Sequence, residues 1–248
     1  MRWLLVLLLG LPLGVLSQHA FSQNKTETRE LVGQIGSRSA LLVLHSAERP
    51  DGSWQMTGEY ILLPTFTRRF LEGERSPQLG VTTLKEGTSA ILFGRPATGE
   101  LRGSFRDGQF RGMRYGPGGQ ERERFEFSED FPPMTGHSAE VACEAGDDRY
   151  ASSLAYTLES GKLKGALEWR SKVGAEGHQC TVRAQEPRSA RNGLAFGSAG
   201  CTVTLRDLGD YVKVSAEGCA AQCGSGAYLE PLIVDKRGNC RLLRPEPR

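Results

Sequence analysis

Leu154-Ala155-Tyr156-Thr157-Leu158-Glu159, then Ser160-Gly161, then Lys162-Leu163-Lys164-Gly165-Ala166-Leu167-Glu168-Trp169-Arg170 is the stretch whose reading decides the fold. Leu154, Tyr156 and Leu158 alternate with Ala155, Thr157 and Glu159, and beyond the Ser-Gly pair Leu163, Gly165, Leu167 and Trp169 alternate with Lys164, Ala166, Glu168 and Arg170. A period of two puts one set of side chains on each face of an extended strand, and glycine supplies the positive φ that a tight connection needs. The spacing therefore predicts an antiparallel hairpin with a covered apolar face and a wet polar one.

Working outward, two later runs carry a cysteine on their apolar side: Cys180, Val182 and Ala184 in one, Cys201, Val203 and Leu205 in the other. Gly136 to Asp148, ahead of the hairpin, reads as a polar loop holding Cys143. The first half repeats short strands: Leu31 to Ile35, Ala40 to Leu44, Trp54 to Tyr60, Phe66 to Leu71, Leu79 to Leu84, Ala90 to Phe93, Leu101 to Phe105, Phe110 to Tyr115 and Arg122 to Phe127. Turn signals punctuate them at Arg49-Pro50-Asp51-Gly52, Asp107-Gly108 and Gly116-Pro117-Gly118-Gly119. In the last of these strands Glu123, Phe125 and Phe127 share one face, and Arg122, Arg124 and Glu126 the other. No long helical period occurs, so the expectation is an all-β chain of two antiparallel β-sandwich or barrel-like meander domains, the second disulfide-bonded. Pro132 and Pro133 cannot donate to a ladder and mark a linker. The expected division is a leader at 1–22, a β-meander at 23–130, a linker at 131–136 and a cysteine-rich β domain at 137–248.

The leader rests on Arg2, the apolar run Trp3 to Leu16 and the small residues of Ala20-Phe21-Ser22, the pattern of a secretory signal cut before Gln23. Gly10, Pro12 and Gly14 interrupt the run, which is shorter than the roughly 20 apolar residues of a spanning helix. The predicted home is periplasmic or secreted, with no transmembrane segment in the mature chain. An exporting leader makes an even cysteine count read as disulfides. Cys143, Cys180, Cys201, Cys219, Cys223 and Cys240 are accordingly assigned to bridges rather than zinc, because only Cys219 and Cys223 form a close pair and no second pair joins them. That C-x3-C spacing is also not a C-x-x-C redox motif. Cys180 to Cys201 is the preferred bridge, since both lie on apolar strand faces; Cys219 to Cys223 and Cys143 to Cys240 follow by elimination.

The 31 basic residues nearly balance the 29 acidic ones, which argues against nucleic acid as a partner. The glycine clusters lack the third glycine of a dinucleotide fingerprint, and no Walker lysine follows a glycine-rich loop. Ser225 sits in Cys223-Gly224-Ser225-Gly226-Ala227, without the glycines two before and two after that a nucleophile elbow requires. Asp147-Asp148 lacks the spacing of a calcium loop, and His45, His137 and His178 are scattered. No catalytic residue, cofactor or metal ligand is predicted.

Gly33-Gln34-Ile35-Gly36, Gly58-Glu59-Tyr60, Leu71-Glu72-Gly73 and the Gly99 to Gly103 and Phe110 to Gly112 rhythm resemble a β module of exported bacterial proteins. Cys219-Ala220-Ala221-Gln222-Cys223-Gly224 resembles the cysteine-bearing modules that accompany it. The loop Ser225-Gly226-Ala227-Tyr228 is similar, one residue short, to the Ser-Gly-x-x-Tyr loop that inhibitors of c-type lysozyme insert into the enzyme. The resemblance implies an envelope protein, a lysozyme or a glycan as partner, with Ser225 and Tyr228 in the candidate partner-binding loop. The expected function is thus an exported, non-catalytic binding or inhibitor module, with a cell-envelope hydrolase of dispersed site as the alternative.

Overall fold

A computed structural model describes residues 25–88, 96–174, 177–185, 187–189, 193–198, 200–224 and 226–243. The expected leader and the strand at Ala90 to Phe93 lie outside the described residues. Eight strands, β1 (Thr26–Ile35), β2 (Arg38–Glu48), β3 (Trp54–Leu62), β4 (Thr67–Arg75), β5 (Val81–Gly87), β6 (Gly99–Arg106), β7 (Gln109–Tyr115) and β8 (Arg122–Ser128), each pair antiparallel with the next. The barrel closes where β8 returns to β1, Phe125 opposite Ile35 and Ser128 opposite Val32.

Alternation fills the barrel. Leu31, Leu42, Leu44, Met56, Leu71, Leu84, Leu101, Phe110, Phe125 and Phe127 all point inward and are buried. The inward side of the last strand is the one read from its pattern, Glu123, Phe125 and Phe127. Gly103 and Gly112 face each other across β6 and β7. A Cβ at Gly103 would lie 2.7 Å from Cζ of Phe125, so the ring occupies the space that the missing side chain leaves.

The second half forms two sheets over one core. One runs β12-β11-β10-β9, from β9 (Ala139–Asp147), β10 (Tyr150–Glu159), β11 (Lys162–Val173) and β12 (His178–Ala184). The other is a meander of β13 (Pro187–Ser189), β14 (Leu194–Ser198), β15 (Cys201–Asp207), β16 (Tyr211–Glu217), β17 (Leu232–Asp235) and β18 (Cys240–Leu242). The β10–β11 hairpin turns at Ser160-Gly161 as its sequence requires, with Leu154, Tyr156, Leu158, Leu167 and Trp169 in the shared core. The segment expected to be a polar loop around Cys143 is instead strand β9. Val141, Cys143 and Ala145 alternate with charged Glu140 and Glu144, and the short apolar members hide a period of two.

Three disulfides hold this half: Cys143–Cys240, Cys180–Cys223 and Cys201–Cys219. The first is as expected; the Cys180–Cys201 and Cys219–Cys223 pairings are not. Cys180 and Cys201 do face the core, but the short helix α1 (Ala220–Cys223) lies at the end of the sandwich between them. Its first flank, Cys219, takes Cys201 of β15, and its last residue, Cys223, takes Cys180 of β12. The Cα atoms stand 4.2 Å and 4.1 Å apart, so one helical turn staples both sheets. Three disulfides, with no described helix long and apolar enough to cross a membrane, are compatible with an oxidising compartment.

Barrel and sandwich meet over the linker, which is packed rather than slack. Phe131 is buried with Leu41, Leu63, Leu208 and Ile233, while Met134 enters the sandwich core. Leu41 and Ile233 break the inside–outside alternation of their strands because each outer face is covered by the other body. Glu30 on β1 accepts from Arg206 at 2.8 Å and Lys213 at 2.7 Å on the sandwich, and the Arg206 guanidinium lies over Phe131. Phe66 meets Tyr211 edge to face, and the Arg241 guanidinium lies over the Phe66 ring.

Candidate functional site

Between α1 and β17 the described residues, Gly224 and 226–231, belong to neither helix nor strand. An irregular segment has no ladder, so its position depends on what grips it. Cys223 fixes its start through the bridge to β12. Its middle is gripped by β10 and β11: the Ser171 hydroxyl donates to the Tyr228 carbonyl at 2.5 Å, and the Glu230 N–H donates to the Tyr150 hydroxyl at 2.8 Å. Ser171 and Tyr150 are themselves buried, and Trp169 donates to Ser152 beside them. Burial pushes the Tyr150 hydroxyl above its ordinary pKa, against the lowering effect of the Glu230 N–H.

On this frame the Tyr228 ring stacks on Tyr150, centroids 5.4 Å apart, yet keeps 46% of its surface exposed. Gly226, at positive φ, lies against the imidazole of His178 on β12. The loop singled out in the sequence thus carries an outward aromatic on a backbone fixed at several points. Ser225, its other predicted residue, lies outside the described residues. Of the other aromatics, Tyr211 is spent on the junction and Tyr115 sits beneath the guanidinium groups of Arg102 and Arg122.

The histidines do not converge. His45 bonds Thr28 on the barrel wall, His178 lies beside the loop, and His137 Nε2 meets Asp207 Oδ2 at 2.8 Å next to a cavity between linker and sandwich. Asp207 is oriented by the Gly209 N–H on its other oxygen. Among the described residues no three His, Cys, Asp or Glu side chains gather as a metal site.

One cluster was missed in the sequence. Inside one end of the barrel Glu86, fully buried, accepts two bonds from Arg114 at 2.8 and 2.9 Å and one from the Tyr60 hydroxyl at 2.8 Å, with Arg69 at 3.4 Å. Glu123 joins Arg114 to Arg38. Burial and the neighbouring Glu86 charge push the Tyr60 hydroxyl far up, and the Glu86 hydrogen bonds hold Arg114 firmly protonated. The signal was parity: Thr82, Leu84 and Glu86 share the inward face of β5. The network carries three guanidinium groups against two carboxylates, so it plugs the barrel end with one positive charge in excess. Neither the known protein families, nor the curated proteins, nor the solved structures give a match to this chain.

Proposed function

We propose that this is an exported, non-catalytic binding or inhibitor protein of the cell envelope, and that the loop bearing Tyr228 is its contact surface. The observation that carries the reading is an exposed tyrosine stacked on a buried one, on a backbone held by a disulfide and by Ser171 and Tyr150. Ordering such a loop at the moment of association would cost binding free energy; a loop already fixed avoids that cost. Tyrosine supplies large contact area with few rotatable bonds, which is why it dominates many interfaces. Three disulfides favour an oxidising home, as the leader-like start of the sequence does.

The test is capture by the immobilised mature chain from three offered partners: a c-type lysozyme, an envelope glycan and envelope proteins. One of them is expected to bind, and Tyr228→Ala is expected to weaken that binding by about tenfold or more. Capture that survives Tyr228→Ala unchanged overturns the assignment of the loop, and unchanged lysozyme turnover at large molar excess removes the inhibitor reading. The hydrolase alternative is favoured by one observation, the His137–Asp207 pair beside a cavity. It predicts an activity abolished by His137→Ala but retained by His45→Ala and His178→Ala.

A further inference from the structure

Away from the Tyr228 loop, a cavity of about 540 Å³ opens between the linker, strands β9 and β10, and the ends of β16 and β17. That size falls within the range of small-molecule sites. Its deep wall is apolar, formed by Val141, Leu158, Val212 and Val234. Set into that wall is Tyr156, 3% exposed. Its hydroxyl finds no hydrogen-bond partner among the described residues, and burial alone displaces its pKa upward. Two other buried tyrosines differ: the Tyr60 hydroxyl, inside the barrel, donates to Glu86, and the Tyr150 hydroxyl accepts from the Glu230 N–H. The Tyr156 oxygen is not sealed into the protein but is reached from the cavity that the residue lines, so solvent or a ligand there completes its hydrogen bonding.

The polar lining of the cavity includes His137, Asp210, Asp235 and Lys236. His137 is matched by Asp207 and Lys236 by Asp210, which leaves Asp235. Asp235 has no ion-pair partner among the described residues. Although burial opposes it, the side-chain amide of Asn239 and the N–H groups of Asn239 and Arg237 hold its carboxyl below the usual range, so it stays ionised at neutral pH. A carboxylate can accept more bonds than these donors supply. The chamber is thus apolar, with a hydroxyl inside and at its rim a carboxylate that no ion pair neutralises, Arg237 acting on it only at longer range.

We propose that this cavity binds a small organic cation whose aromatic body ends in a hydrogen-bonding group, the ammonium resting at Asp235 and the far end meeting the Tyr156 hydroxyl. Tyramine has this chemistry; phenethylamine lacks only the far hydroxyl, and 3-(4-hydroxyphenyl)propionate keeps the body but reverses the charge. Isothermal titration of the full mature chain is expected to give saturable one-to-one binding of tyramine, with phenethylamine roughly three- to tenfold weaker and the anion at least about tenfold weaker. Tyr156→Phe, which keeps the ring and its packing, is expected to lower tyramine to the affinity of phenethylamine while leaving phenethylamine unchanged. Asp235→Asn, which retains an oxygen for its turn, is expected to erase the preference for cation over anion. Absence of saturation by about 10 mM, equal affinity for the anion, or tyramine binding untouched by Tyr156→Phe overturns the proposal. The three probes on the unaltered chain decide charge and tip preference even where a variant folds poorly, and none of them touches Tyr228.

Discussion

Glu86 is the most deeply buried acidic or basic side chain among the described residues. With its charge wholly buried, its stability depends on Arg114 and Tyr60 remaining in place. Arg114→Met is expected to destabilise the barrel by about 3–5 kcal/mol, because the buried carboxylate loses its two-pronged partner and keeps only Tyr60 and the more distant Arg69. The Glu86→Leu, Arg114→Met double variant is expected to be less damaged than the sum of its parts, a coupling that urea denaturation of the two singles and the double measures; strict additivity would contradict the network. Alkaline pH probes a second set of residues. Burial raises the pKa of Tyr60, Tyr150 and Tyr156 above its value in the unfolded chain. Their contribution is therefore complete below about pH 10, the unfolded tyrosine value, and is lost as pH climbs toward the raised folded values. Stability should fall above that pH by up to ~1.4 kcal/mol per unit for each such tyrosine, and tyrosinate absorbance should show these rings ionising only with unfolding.

Individual strands were legible in the sequence because a period of two is a local property: Leu154 to Trp169 announces its own hairpin. What the strands build was not. Closure depends on β8 finding β1, and nothing near Ile35 or Phe125 distinguishes a closing pair from two open borders. The bridges were misread for a related reason. A single turn between Cys219 and Cys223 carries no helical period, so the element that sends those two sulfurs to opposite sheets is invisible beforehand. The candidate loop was found by its residues, but its rigidity comes from Ser171 and Tyr150, more than fifty positions upstream. Replacing Cys180 and Cys223 together by serine is expected to cost ~2–4 kcal/mol and to free α1 from β12. Proteolysis should then cut first near Gly224, while the barrel strands remain protected; a cut first within the barrel would contradict this order of loosening.

Across the entire protein, the junction decides whether barrel and sandwich behave as one body. Glu30 holds two cations of the opposite half with side chains largely buried, above an apolar contact of Leu41, Phe131 and Ile233. Glu30→Ala leaves Arg206 and Lys213 facing each other without the carboxylate. Calorimetry is expected to resolve two unfolding transitions in that variant where the parent gives one; a single unchanged transition would mean that the apolar contact suffices. The closed ladder of the barrel has a further consequence. A cylinder offers no unpaired border to another chain, whereas the two sheets of the sandwich end at β9, β12, β13 and β18, so heat-driven polymerisation by strand addition should begin in the carboxy-terminal half. Fibres grown from this protein would then carry intact cylinders hung along a cross-β spine, like beads beside a thread.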